Sequence, residues 1–244
     1  MKNLRRVGGF TLVELILSLF VGGLLLSAVY FMMISGQKSS AGIERKVAAQ
    51  QDVRAALDIM AMEIGMASYN PNLASASQIW INPSNCTGAS ANPQYKGIQV
   101  AGPMAITVEM DVVENGTIAK TDANEIIEYA YDSTSQTITR RVNCATTADP
   151  FLGGGTGAAA GTKTVNLINS TAGTNNKNGV PAIFRYFDST GNELTPDTTA
   201  TDIPNIRRVD IALAVQTEEM DPSTRTYRQM IYSTSVLVRN HALN

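Results

Sequence analysis

The chain has 244 residues, of which 44% are apolar and only 16% charged, with a formal net charge of −2. Lys2, Arg5 and Arg6 fall within the first nine positions; without that segment, 16 basic residues face 21 acidic ones. Such a balance does not suggest sequence-independent binding to nucleic acid, which needs a basic face, and leaves only a local basic patch open.

Residues 1–9 form a short basic leader that ends in Gly8-Gly9. Residues 10–34 then read FTLVELILSLFVGGLLLSAVYFMMI, apolar or small except for Glu14. A helix of this length, at about 1.5 Å per residue, spans a bilayer core of about 30 Å. The preceding positive charges hold that end in the cytoplasm and place the chain beyond residue 35 outside. An ordinary secretory signal carries its apolar stretch before the cleavage site. Here the small-residue pair precedes it, so a cut after Gly9 removes the leader and keeps the helix, with a free α-amine at Phe10.

Glu14 admits two readings. A carboxylate inside a bilayer costs roughly 2.5–3.5 kcal/mol on insertion scales. It either reaches the interface or is protonated near a helix end, where the dipole favours an anion. Or it meets a cation when subunits pack side by side, and a neighbour's Phe10 ammonium is the obvious one.

The run Gly9-Phe10-Thr11-Leu12-Val13-Glu14 resembles the processing site of type IV prepilins and type II secretion pseudopilins. The resemblance implies that a membrane-embedded prepilin peptidase cuts between Gly9 and Phe10 and methylates Phe10. It implies that Glu14 supports assembly by neutralising a neighbour's N-terminus. It also implies other pilins or pseudopilins as partners through the N-terminal helix, together with an inner-membrane assembly platform.

No proline occurs before Pro71, so one helix is expected over residues 10–70. Val53, Leu57, Met60, Ile64 and Ala67 recur at helical spacing, and Ile43 and Val47 extend the stripe upstream. Asp52, Arg54, Asp58 and Glu63 lie mostly off it, with Arg54 and Asp58 spaced to pair. About two heptads are too few to require a coiled coil, so this half is expected to pack on a globular domain. Gly22, Gly23 and Gly36 lower local propensity; Gly22 and Gly23 serve either local melting or close helix packing.

Residues 71–244 are expected to form an extracytoplasmic β-rich domain. Ile106, Val108, Met110 and Val112 alternate. So do Ile127, Tyr129 and Tyr131 before the turn Asp132-Ser133-Thr134-Ser135, with Ile138 and Val142 in the returning strand. Val209, Ile211, Leu213 and Val215 make another strand face, as do Met230, Tyr232, Thr234, Val236 and Val238, with 218–226 as the connection. Residues 145–179 read as a long loop with a strand at 163–168. The expected class is α+β: a long N-terminal helix, hydrophobic then amphipathic, packed on an antiparallel sheet.

Cys86 and Cys144 belong to no CxxC pair, and outside the cytoplasm a single disulfide is the natural reading. Closing that loop stabilises by roughly 4 kcal/mol in the chain-entropy model. Two buried free thiols are the alternative.

No catalytic constellation stands out. His241, the single histidine, reads as part of a frayed tail. GAAAGTKT at 157–164 misses the phosphate-binding pattern because Thr162 stands where glycine is needed. Asp188, Asn192 and Glu193 around Gly191 lack calcium-loop spacing and read as a hairpin turn. Sequons at Asn85, Asn115 and Asn169 are expected by chance in so Asn- and Thr-rich a chain. Trp80 reads as a core residue. No cofactor is expected.

Residues 125–143, 183–194 and 206–240 resemble the β-region of PilW-type minor pilins, which are related to J-type pseudopilins of type II secretion. The resemblance implies a subunit that primes or caps a pilus. It is stored in the bacterial inner membrane with its C-terminal domain in the periplasm, and then carried to the pilus at the cell surface. A type II secretion pseudopilin or a DNA-uptake pilus component shares the same parts. A membrane-anchored adhesin is a different class, with an uncleaved leader and no need for Glu14.

Overall fold

The computed structural model describes residues 9–80, 92–154, 165–171, 179–195, 202–217, 220–221 and 224–243. One helix, α1 (Leu12–Gly65), runs 54 residues without a break through Gly22, Gly23 and Gly36. Apolar side chains cover its first half on every side, and from Phe10 to Met33 the large ones are exposed. Only at Ala49 does a buried stripe begin: Ala49, Val53, Ala56, Leu57, Met60 and Ile64. Burying each large side chain of that stripe contributes roughly 1.5–3 kcal/mol.

The helix stops at Gly65 with Met66 as its cap, five residues short of the Asn70 expected from Pro71. Tertiary contacts end it early. Ser68 takes a left-handed conformation (φ 65°), and its N–H donates to the Glu109 carbonyl at 2.8 Å.

Two antiparallel sheets receive α1. The first is a meander of β1 (Ile98–Ala101), β2 (Ala105–Glu109), β3 (Ile126–Asp132), β4 (Thr137–Val142) and β5 (Asp149–Gly153), in sequence order. The expected β3–β4 hairpin is present, pairing Tyr131 with Ile138. The Asp132 carboxylate holds its turn by accepting from the Thr134 N–H and the Ser135 hydroxyl, both at 2.8 Å. Two expectations need correction here. The alternation expected to reach Val112 stops at Glu109, and Val112 is exposed. The stretch read as loop from residue 145 contains β5, which the alternation missed because Asp149-Pro150 begins it.

The second sheet comprises β6 (Val165–Leu167), β7 (Phe184–Phe187), β8 (Glu193–Leu194), β9 (Arg208–Thr217) and β10 (Gln229–Leu237). Its order is β10-β9-β7-β8, with β6 also beside β9. β6 and β7 share one edge of β9, and Asn169 fills the gap between them. Its amide donates to Ala212 O and Pro181 O and accepts from the Ala214 N–H. The turn at Asp188–Asn192 is a hairpin turn: the Thr190 hydroxyl and the turn amides hold the Asp188 carboxyl down to about 2. Glu193 pairs with Arg185 at 2.5 Å.

The inner faces of both sheets and the buried stripe of α1 meet in one core. On the opposite face of the first sheet, a smaller cluster of Ile79, Trp80, Ile118 and Ile126 forms beneath the short helix α2 (Ala76–Ile79). Arg54 does not serve the Asp58 pairing its spacing suggested. Its guanidinium lies 6.0 Å from the centroid of the Tyr232 ring, tying α1 to β10.

Candidate functional site

The chain enters α1 through an exposed, non-helical Gly9-Phe10, with Phe10 at 90% exposure. Thr11 is the N-cap, extended at φ −79° and ψ 152°. Its hydroxyl accepts from the Glu14 N–H at 3.3 Å. Glu14 answers through one oxygen: Oε2 accepts from the Thr11 N–H and from the Thr11 hydroxyl, both at 3.0 Å. This is a capping box, the reciprocal use of a threonine hydroxyl and a glutamate three residues on. It satisfies two of the helix's orphan donors and places the carboxylate at the positive end of the dipole.

The arrangement separates the two oxygens of Glu14. Oε2 is occupied within the chain, while Oε1 accepts no hydrogen bond among the described residues. A carboxylate has acceptor capacity on both oxygens, so Oε1 remains free to take a cation without breaking the cap. The helix-end anion and the cation partner are therefore compatible in one geometry, because one carboxylate oxygen of exposed Glu14 is left over by the cap.

Residues 4–30 match the model of the prokaryotic N-terminal methylation motif. The match covers Gly9, Phe10, Thr11 and Glu14 together with most of the exposed apolar run. It supports a type IV pilin-like chain of the prepilin type, handled by a prepilin peptidase and the pilus machinery in general. Together with the apolar helix, it supports membrane anchoring through the N-terminus; α1 is long and apolar enough to cross a bilayer. No curated protein and no solved structure is significantly similar to the chain.

The remaining candidates fall elsewhere. Cys144 is half-buried against the Ile79–Trp80 cluster, while Cys86 lies outside the described residues. So do the leader residues 1–8, Asn85 and the GAAAGTKT stretch. Trp80 is fully buried, as expected. Among the described residues, no group of three or more His, Cys, Asp or Glu is placed to hold a metal ion.

His241 corrects the frayed-tail reading. It sits on a short C-terminal helix, α3 (Arg239–Leu243), and is completely buried. Its Nε2 lies 2.8 Å from the Ile203 carbonyl, an acceptor. Its Nδ1 lies 2.8 Å from the Ser68 hydroxyl and 3.1 Å from Lys96 O. Burial first, then the positive charges of Arg207 and Lys96, bring the imidazole down to about 4 despite its carbonyl contacts. The ring thus ties the C-terminus to the segments following α1, preceding β1 and preceding β9. Gly97 makes room for this junction: at φ +87°, a Cβ there would lie 2.9 Å from both Glu109 O and Ser68 Cα. The sequence held one hint. The apolar alternation of β10 continues through Val238, so the residues after it start against the core.

Glu109 was also missed. It is fully buried on the face of β2 away from α1, where Gln99 Nε2 donates to Oε2 at 3.0 Å and Oε1 has no partner among the described residues. Burial pushes its carboxyl up to about 8, against the lowering effect of the Gln99 bond.

Proposed function

We propose that the chain is a minor type IV pilin, a structural subunit that primes or caps a pilus. Prepilin peptidase cuts between Gly9 and Phe10, and Phe10 becomes the methylated N-terminus. Residues 10–34 hold the subunit in the inner membrane with the two-sheet domain in the periplasm, until the assembly platform passes it into the filament. There the free Oε1 of Glu14 meets the Phe10 ammonium of a neighbour. Heterologous packing of this kind builds open helical filaments.

One observation carries the reading: an exposed Gly9-Phe10 stands just ahead of a capped helix whose apolar first half has no partner within the described chain. Exposed apolar surface on that scale marks a membrane or protein interface. The resemblance of the strand regions to PilW-type minor pilins supports the minor role, and a Cys86–Cys144 disulfide is part of the proposal.

Mass spectrometry of the natural N-terminal peptide tests it. A chain beginning at methylated Phe10 is expected; an intact Met1, or a cut beyond residue 28, would sink the reading. Glu14→Ala is expected to stay in the membrane but enter fibres poorly, and normal incorporation refutes the charge-pairing role.

A further inference from the structure

Among the described residues, β10 is an open edge of the second sheet, with β9 on its other side. Arg228 O accepts from the Thr217 N–H, and the Val238 N–H donates to Arg207 O, so the even-numbered residues face β9. In an antiparallel ladder the alternate residues then point their amides and carbonyls outward. These are Gln229, Ile231, Ser233, Ser235 and Leu237. Ile231 and Leu237 are each 56% exposed. The strand reads QMIYSTSVL, nine residues without a charge or a proline.

Natural sheets blunt such edges with charge, proline or brevity. The other described edges of this chain are blunted: β8 has two residues and carries Glu193, β6 has three residues, β5 carries Asp149-Pro150, and β1 has four residues. Among the described edges, β10 alone is long, uncharged and rich in strand-forming residues. An edge of unpaired backbone donors and acceptors is complementary to one kind of occupant, another extended strand.

The direction of β10 identifies whose strand it is. Arg54 of α1 lies over Tyr232, and Gly65 lies against Val236. From Arg54 to Gly65 the helix advances about 16 Å, and from Tyr232 to Val236 the strand advances about 13 Å. β10 therefore runs beside α1 in the same sense. Subunits anchored by this helix in one membrane share its direction. Two copies joined through their β10 edges in the more stable antiparallel ladder would send their helices opposite ways, a parallel pairing of the same edges is the weaker ladder, and the chain's other described edges are too short or too guarded to serve. The geometry points to β10 as a docking edge for an extended strand from a different, neighbouring subunit of the same membrane assembly. This rests on the pilin reading for the membrane setting, while the open edge itself does not.

The test uses the full chain in its native membrane, with the photo-crosslinking residue p-benzoylphenylalanine in place of Ser235. Irradiation should yield one product, joined to a strand segment of a different subunit. Ser233→Pro removes one outward N–H without touching the ladder to β9, and Ile231→Lys puts a charge beside the edge. Each should reduce the product at least tenfold. A product joining two copies of this chain, no product, or a yield unchanged in both variants overturns the proposal. The N-terminus is read on the same sample. An unprocessed wild-type chain that still gives the Ser233→Pro-sensitive product would sink the pilin reading and leave the edge pairing standing.

Discussion

Glu63 and Arg140, 77 positions apart, join α1 to β4 through two hydrogen bonds, from Nε to Oε2 at 3.0 Å and from Nη2 to Oε1 at 2.6 Å. The Tyr129 hydroxyl donates to Oε2 at 2.5 Å and completes the cluster. Burial, and then this bond, hold the Tyr129 phenol well above its usual range. The buried stripe of α1 packs on both sheets, and this cluster adds a polar tie to the first.

Arg140→Met is therefore expected to cost roughly 1.5–3 kcal/mol, because it leaves a largely buried carboxylate with only a phenol. Denaturant unfolding of the full chain in detergent measures the loss. A double-mutant cycle with Glu63→Gln should show coupling, and strict additivity would argue against the cluster as a unit.

Glu109 predicts a pH dependence. Its folded value of about 8 lies above the ordinary 4.5, so the folded state holds a proton that the unfolded chain has lost between those values. Its contribution is complete below pH 4.5 and disappears as pH rises through 8. Glu109→Gln should remove that decline and stabilise the protein near pH 8 by roughly 2–5 kcal/mol relative to the parent. Thermal unfolding across roughly pH 4.5–8.5 reads the difference, and parallel curves for the two proteins would contradict it.

His241 predicts the opposite slope. Its folded value of about 4 lies below the ordinary 6.5, so the unfolded chain takes up a proton first as pH falls. Stability from the neutral buried ring is complete above pH 6.5 and is lost as pH drops through 4. His241→Gln should flatten the curve in that window while lowering stability at neutral pH. Between pH 4.5 and 6.5 the two slopes oppose each other in the parent, so each is read from its own variant.

Thr11→Val keeps the shape of the N-cap side chain and deletes its hydroxyl. The Glu14 N–H then loses its acceptor and Oε2 loses one of its two donors. Loss of a cap costs about 1 kcal/mol. Amide exchange over residues 12–15 of the full chain in detergent should accelerate about fivefold, with Thr11→Ser close to the parent.

The presence of one long helix, its change from apolar to amphipathic, and the β3–β4 and β9–β10 faces were legible because side-chain periodicity encodes them directly; its end at Gly65 was not, because tertiary contacts set it. The methylation motif and Glu14 were legible because they sit together in one short run. The Glu63–Arg140 clamp was not, since nothing local marks a pairing across 77 positions. Glu109 was hidden for another reason: alternation says which residues share a face, and does not say whether that face is wet. Residues near 79–80 and 118 cover it from elsewhere in the chain. The role of His241 depends on three carbonyl and hydroxyl groups brought together only by the finished fold, so a lone histidine in a polar tail carried no signal of it.

The side-by-side course of α1 and β10 has a mechanical consequence. A pull on Phe10 travels as tension down one uninterrupted helix and enters the globular part as shear, because helix and strand lie along the line of force. Contacts from Val53 to Ile64 then share the load together instead of peeling in turn, and the Glu63 clamp near the far end takes up the remainder. A subunit drawn out of a membrane by its helix would thus keep its head attached without needing an especially stable core.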